Sequence, residues 1–163
     1  MGKLQGRGKR LSSLVPTDDH ESSPVKILVI EDDAGDQGLL LHQLKKSGIQ
    51  DRVMCVEDGN VALELMRTGT RNLSKVCAIF LDLSLPGVNG LLLLEAIRSN
   101  VETALLPVFI TSGSTNPEDE AECRRLGATR FIPKNLISLP GFRSTIADIF
   151  RPREEAKKDA AVS

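Results

Sequence analysis

Val76-Cys77-Ala78-Ile79-Phe80-Leu81-Asp82-Leu83-Ser84-Leu85-Pro86-Gly87-Val88-Asn89-Gly90 is the stretch from which the rest of the chain is read. Six apolar residues run unbroken and then meet a single carboxylate. Such a run fits a strand buried on both faces, as in a parallel sheet. Pro86-Gly87 and Asn89-Gly90 are turn signals, so the strand is expected to stop at Asp82. A carboxylate then stands at the C-terminal end of a central strand, on the rim where open α/β sheets bind ligands. Taken alone, Asp82 also fits a blander part: a short polar side chain that starts a turn by accepting a backbone N–H. The other strand ends have to decide.

Upstream, Val25 to Ile30 is β-branched and apolar and reads as a first strand, ending in Glu31-Asp32-Asp33. A helix is expected from about Asp36 to Ser47, with Leu40, Leu41 and Leu44 on one stripe and Gly48 as its stop. Asp36 near its start complements the helix dipole, and His42 reads as a surface residue. Arg52 to Val56 is a short second strand. Asp58-Gly59 is its turn, and a helix from Asn60 to Arg67 turns Val61, Leu65 and Met66 inward. Residues 68–75 read as a polar loop. Downstream, a helix from about Asn89 to Arg98 carries four consecutive leucines, more than one buried stripe needs, so Leu92 is expected to face solvent or a partner. Pro107 to Thr111 is a fourth strand, followed by Ser112-Gly113-Ser114. A mostly polar helix runs from Pro117 to Leu126 and buries a thin stripe. Ala128 to Pro133 is a fifth strand with Lys134 at its end, and a last helix spans Leu136 to Phe150 on Ile137, Ile146 and Ile149.

Five strand–helix repeats imply a parallel sheet with right-handed crossovers. The second strand is the least apolar and the fifth contains a proline, which belongs at an edge. The expected fold is α/β: a flavodoxin-like (βα)5 doubly wound sheet of order 2-1-3-4-5. One domain, residues 25–150, is expected, between a disordered N-terminal tail (1–24) and a charged C-terminal tail (151–163).

A net charge of −1 gives no field for nucleic acid, and neither Trp nor Tyr is present to stack on bases. No apolar run reaches the length of a membrane span. The basic N-terminus has only Leu14-Val15 before Pro16, which is no signal-peptide core, so a cytoplasmic protein is expected. Three cysteines without C-x-x-C spacing argue against disulfides or zinc, and Cys55, Cys77 and Cys123 all read as small buried hydrophobes.

Polar groups now stand at four strand ends on one rim: Glu31 and Asp32, Asp82, Ser112, and Lys134. In this strand order the first and third strands are neighbours, about 5 Å apart, so the acidic pair and Asp82 crowd together. Crowded carboxylates raise one another's pKa unless a cation sits among them. Hard oxygen ligands suit Mg²⁺, with the backbone carbonyl of Ser84 as a further oxygen. A magnesium beside a central aspartate, faced by a hydroxyl and an ammonium, describes a phosphoryl-transfer site. Asp82 is its nucleophile, forming an acyl phosphate, and Ser112 and Lys134 meet phosphoryl oxygens.

These stretches resemble the receiver domain of two-component response regulators. VKILVIEDD is similar to the acidic first strand, AIFLDLSLPGVNG to the phosphoacceptor strand and loop, PVFITSGS to the fourth strand and GATRFIPK to the fifth. The resemblance covers residues 25 to about 150. It implies Glu31 and Asp32 as metal ligands, Asp82 as phosphoacceptor, Ser112 as switch hydroxyl, Phe131 as switch aromatic and Lys134 as the site lysine. It further implies a histidine kinase or phosphotransfer protein as donor. The surface of the fourth helix, fifth strand and fifth helix would change for a downstream protein. No output domain is expected in residues 151–163, so the chain looks like a stand-alone, non-enzymatic regulator that assists its own phosphorylation and dephosphorylation. EDDAGDQGLLL resembles regulators paired with bacteriophytochromes. Lys134-Asn135 departs from the usual Lys-Pro, and serine replaces the commoner threonine at 112. The leucine excess and the helix-four face keep a homodimer open.

Two other readings compete. A haloacid-dehalogenase-type phosphatase also uses a strand-end aspartate, but wants a second aspartate two residues on, where Ser84 stands. A receiver-fold interaction module that works without phosphate has no need of the charge cluster.

Overall fold

The first four strands of the chain are each followed by a helix that starts on a side-chain cap. The computed structural model describes residues 26–49, 53–69 and 73–149. In order these are β1 (Lys26–Ile30), α1 (Ala34–Lys46), β2 (Val53–Val56), α2 (Gly59–Thr68), β3 (Val76–Asp82), α3 (Gly90–Ser99), β4 (Val108–Ser112), α4 (Pro117–Arg125), β5 (Arg130–Pro133) and α5 (Pro140–Ile149). Asp33, Asp58, Asn89 and Asn116 cap α1 to α4 by accepting a first-turn N–H, which satisfies donors the helix itself cannot.

The five strands form one parallel sheet in the order β2-β1-β3-β4-β5, as expected. Alternate residues along each strand serve opposite faces. Leu28, Ile30, Ile79, Leu81 and Ile110 pack with Leu65, Leu93, Leu94 and Ile97 of α2 and α3. Ile27, Val29, Ala78, Phe80 and Phe109 pack with Leu40, Leu44, Phe142 and Ile146 of α1 and α5. The Phe80 and Phe109 rings lie 5.2 Å apart across the strands. Pro133 sits on the edge strand, opposite Ser112. Leu92 is 48% exposed, as the leucine excess required. Among the described residues no helix is long and apolar enough to cross a membrane, and no peptide bond is cis.

Several boundaries differ from the sequence reading. α1 begins at Ala34 because Asp33, not a later residue, caps it. β5 begins at Arg130, since Ala128 and Thr129 turn back onto Cys123 and Val108 through their N–H groups. α5 begins at Pro140; Lys134–Leu136 form a 3-10 turn instead. Ile137 is buried ahead of the helix, and Phe142 joins Ile146 as an anchor. In α2 Ala62 is buried and Val61 only half-buried. Leu73 is fully buried in a 3-10 turn where a polar loop was expected. Only Cys123 is buried; Cys55 and Cys77 are intermediate. The expected tails, 1–24 and 151–163, and residues Val25, Arg52 and Phe150 lie outside the described residues, as does the Ile149 side chain.

Gly90 marks where α3 meets the loop after β3. A Cβ there would stand 2.6 Å from Leu83 Cα and 2.7 Å from its carbonyl oxygen. Backbone cannot yield as a side chain can, so Gly90→Ala should cost about 2 kcal/mol or more. Urea melts followed by circular dichroism check this, with Leu92→Ser, on the exposed face, expected near wild type.

Candidate functional site

Parallel strands end on the same side, so four loops carry their polar residues to one rim. Glu31 and Asp32 follow β1 directly, Asp82 is the last residue of β3, Ser112 the last of β4, and Lys134 follows β5. Glu31, Asp82 and Ser112 are buried, Asp32 is exposed and Lys134 is partly covered. Carboxylate oxygens of Glu31, Asp32 and Asp82 all lie within 4.8 Å of one another. The Lys134 Nζ stands 3.0 Å from Glu31 Oε2 and 3.2 Å from Asp82 Oδ2. Its shortest contact is to Asp36 Oδ2, at 2.7 Å.

Backbone donors hold the two buried carboxylates from behind. Asp33 N–H donates to Glu31 Oε1 over 3.1 Å, and Ser84 N–H donates to Asp82 Oδ1 over 3.0 Å. Asp82 therefore starts a turn as well as facing the lysine, and the two readings of it do not exclude each other. Ser112 Oγ accepts the Ser114 N–H at 3.0 Å, which leaves its own hydrogen to donate. Phe131, one strand further out, is half-buried and packs on the α2–α3 side of the core. With Pro133, Leu136, Leu139 and Phe142 it also lines a groove of about 230 Å³.

The charges are unevenly tuned. Burial pushes the Glu31 carboxyl up to about 7, and the nearby Asp82 adds to this; hydrogen bonds from Lys134 and the Asp33 N–H work against it. Burial also opposes the charge on Lys134, but Asp36, Glu31 and Asp82 together outweigh it and hold the ammonium more basic than an ordinary lysine. The donor set fits a hard divalent ion: three carboxylates, all oxygen, with exposed Asp32 leaving a side for water ligands.

Asp36 is the residue that sequence reasoning missed. It was read as a dipole partner for α1, and the ion pair it makes reaches 98 residues along the chain. Its only local signal is one more acidic residue, on the first turn of α1, after the Glu31-Asp32-Asp33 run.

A carboxyl whose folded pKa lies above its unfolded value binds more protons when folded, so stability falls as pH rises between the two. For Glu31 that window runs from 4.5 to about 7 in the metal-free protein. The urea midpoint of wild type should therefore fall more steeply across this range than that of Glu31→Gln. Parallel curves would show that Glu31 titrates normally.

Comparison with known proteins agrees with this geometry. Residues 27–139 match the family described as response regulator receiver domain. The chain is 30% identical over 118 residues to response regulator Rcp1 of Synechocystis sp. PCC 6803, covering 71% of this chain and 80% of that protein. Among solved structures it is similar to bacteriophytochrome response regulator RtBRR, at 29% identity and a TM-score of 0.65, over 86% of this chain and 96% of that one. It is also similar to the phosphorylated cyanobacterial phytochrome response regulator RcpA, at 26% identity and a TM-score of 0.61, over 71% and 90%. The chain spans 11% to 16% of the length of the first curated relatives it matches, which are sensory and histidine kinase proteins. The carboxylates, the strand order and the sequence match lead to one assignment: the chain belongs to the response regulator receiver domain family.

Proposed function

We propose that this domain accepts a phosphoryl group on Asp82 from a phosphohistidine of a histidine kinase or phosphotransfer protein, and signals through the changed surface. One observation carries the reading. Three carboxylates converge within 4.8 Å, and an ammonium lies 3.2 Å from the central one. A scaffold without phosphate chemistry gains nothing from that crowding. Glu31, Asp32, Asp82 and the Ser84 carbonyl would hold Mg²⁺. When bound, the ion neutralises charge on the phosphoryl oxygens.

The chain's own groups do the rest. An Asp82 carboxylate oxygen attacks phosphorus. The new O–P bond forms as the N–P bond breaks, and the electron pair returns to the imidazole, which leaves neutral when its other nitrogen carries a proton. Ser112 donates its hydroxyl hydrogen to one phosphoryl oxygen, and Lys134 pairs with another. The domain acts as an acceptor that assists its own reaction, not as an enzyme on a separate substrate, and the setting of this reading is the cytoplasm.

Switching follows from the same bonds. To reach the phosphoryl group, Ser112 moves toward Asp82, and space opens between β4 and β5 into which Phe131 turns. The groove shared by Phe131, Leu136 and Phe142 joins β5 to α5, and in this reading it changes shape with the ring, within a surface of α4, β5 and α5 that a downstream protein reads.

Intact mass after incubation with Mg²⁺ and acetyl phosphate tests this. Wild type should gain one phosphoryl group, and chelation of the ion should abolish the gain. Asp82→Asn should gain none, and Lys134→Ala should react about 100-fold more slowly. A phosphoryl group that persists in Asp82→Asn would sink the proposal. Steady release of product from a phosphate ester would point to a phosphatase instead.

A further inference from the structure

An ammonium has three N–H donors, and three carboxylates meet that of Lys134. They are Asp36 at 2.7 Å, Glu31 at 3.0 Å and Asp82 at 3.2 Å. Two of the three, Glu31 and Asp82, also belong to the converging set with Asp32. A divalent cation that takes those oxygens competes with the ammonium for the same lone pairs and repels it. Asp36 lies outside that set. A dipole role alone does not account for its position. A carboxylate on the first turn needs no distant partner to meet the dipole, and Asp33 already serves as the cap, accepting the Asp36 N–H at 2.8 Å.

We propose that Asp36 is a positioning residue for the phosphoryl site: it holds the Lys134 ammonium beside Asp82 while a divalent ion claims Glu31 and Asp82. The inference rests on the phosphoacceptor reading above. Without the charge at 36, the ammonium keeps only the two carboxylates the ion also needs. Lysine and metal then compete directly, and the metal binds less well. Asp36 acts on the ion through Lys134, so its influence should vanish when the lysine is gone.

Mn²⁺ binding to the unphosphorylated full chain, followed by electron paramagnetic resonance, provides the test. Asp36→Asn should weaken binding by about 5-fold, and Asp36→Glu should recover most of it. In a Lys134→Ala background, Asp36→Asn should change the affinity by less than about 2-fold. Asp36→Ser serves as a second neutral variant should Asp36→Asn fold poorly. Equal loss in both backgrounds would overturn the proposal, because Asp36 would then act on the ion directly. An Asp36→Asn protein that binds Mn²⁺ like wild type would overturn it too. The acetyl phosphate assay separates the two levels. Wild type that is phosphorylated and binds Mn²⁺ while Asp36→Asn equals it defeats this inference only. Wild type that does neither defeats the acceptor reading and this inference together.

Discussion

One ammonium among three carboxylates is the interaction on which the rim depends. Glu31 and Asp82 are both buried, with oxygens no more than 4.8 Å apart. At an effective dielectric constant near 20, their repulsion is on the order of 3 kcal/mol. Lys134 reaches each of them at 3.0 to 3.2 Å, and each attraction is on the order of 5 kcal/mol on the same scale, before desolvation. Attraction therefore exceeds repulsion, but the carboxylates stay held in place by a residue from the far end of the chain. A divalent ion entering the same space exchanges one positive partner for another. In the proposed reading, this rim is, in electrostatic terms, the place of a contest between an ammonium and a divalent ion for shared oxygens.

The fold makes the contest possible by bringing sequence-distant strand ends together. Because every crossover is parallel, each βα junction opens on the same side. The junctions are short because the helices start on caps within a few residues of the strands: Asp33 after β1, Asp58 after β2, and Asn116 after β4. The β3–α3 junction is longer and is closed by Gly90, whose missing side chain lets the start of α3 lie against the Leu83 backbone. Backbone N–H groups of Asp33 and Ser84 then fix the two central carboxylates, so that their orientation does not depend on the lysine alone.

Away from the rim, Arg98 does for the opposite end of the sheet what Lys134 does here. Its guanidinium donates to the carbonyls of Gly127, Thr103, Ala104 and Leu106, tying the end of α3 to the loops that lead into β4 and β5. The groove at Phe131 borders the Lys134–Leu136 3-10 turn.

The strands, their order and the polar residues at their ends were legible in the sequence because they rest on local rules. An unbroken apolar run of strand length between turn signals fits a buried strand, a proline belongs at an edge, and a strand-end aspartate shows where the run stops. Helix boundaries were less legible. Leu136 and Ile137 continue an apolar pattern into α5, yet Pro140 starts that helix, since the chain first makes a tight turn to bury Ile137. In α2 Ala62 is fully buried, while Val61 packs half-buried against the same cluster. Local pattern alone brought Glu31, Asp32, Asp82, Ser112 and Lys134 to the rim. Only the tertiary structure decided that Asp36 would be among the groups touching Lys134. That pairing depends on how α1 lies against the end of β5, and no local pattern encodes a contact across 98 residues.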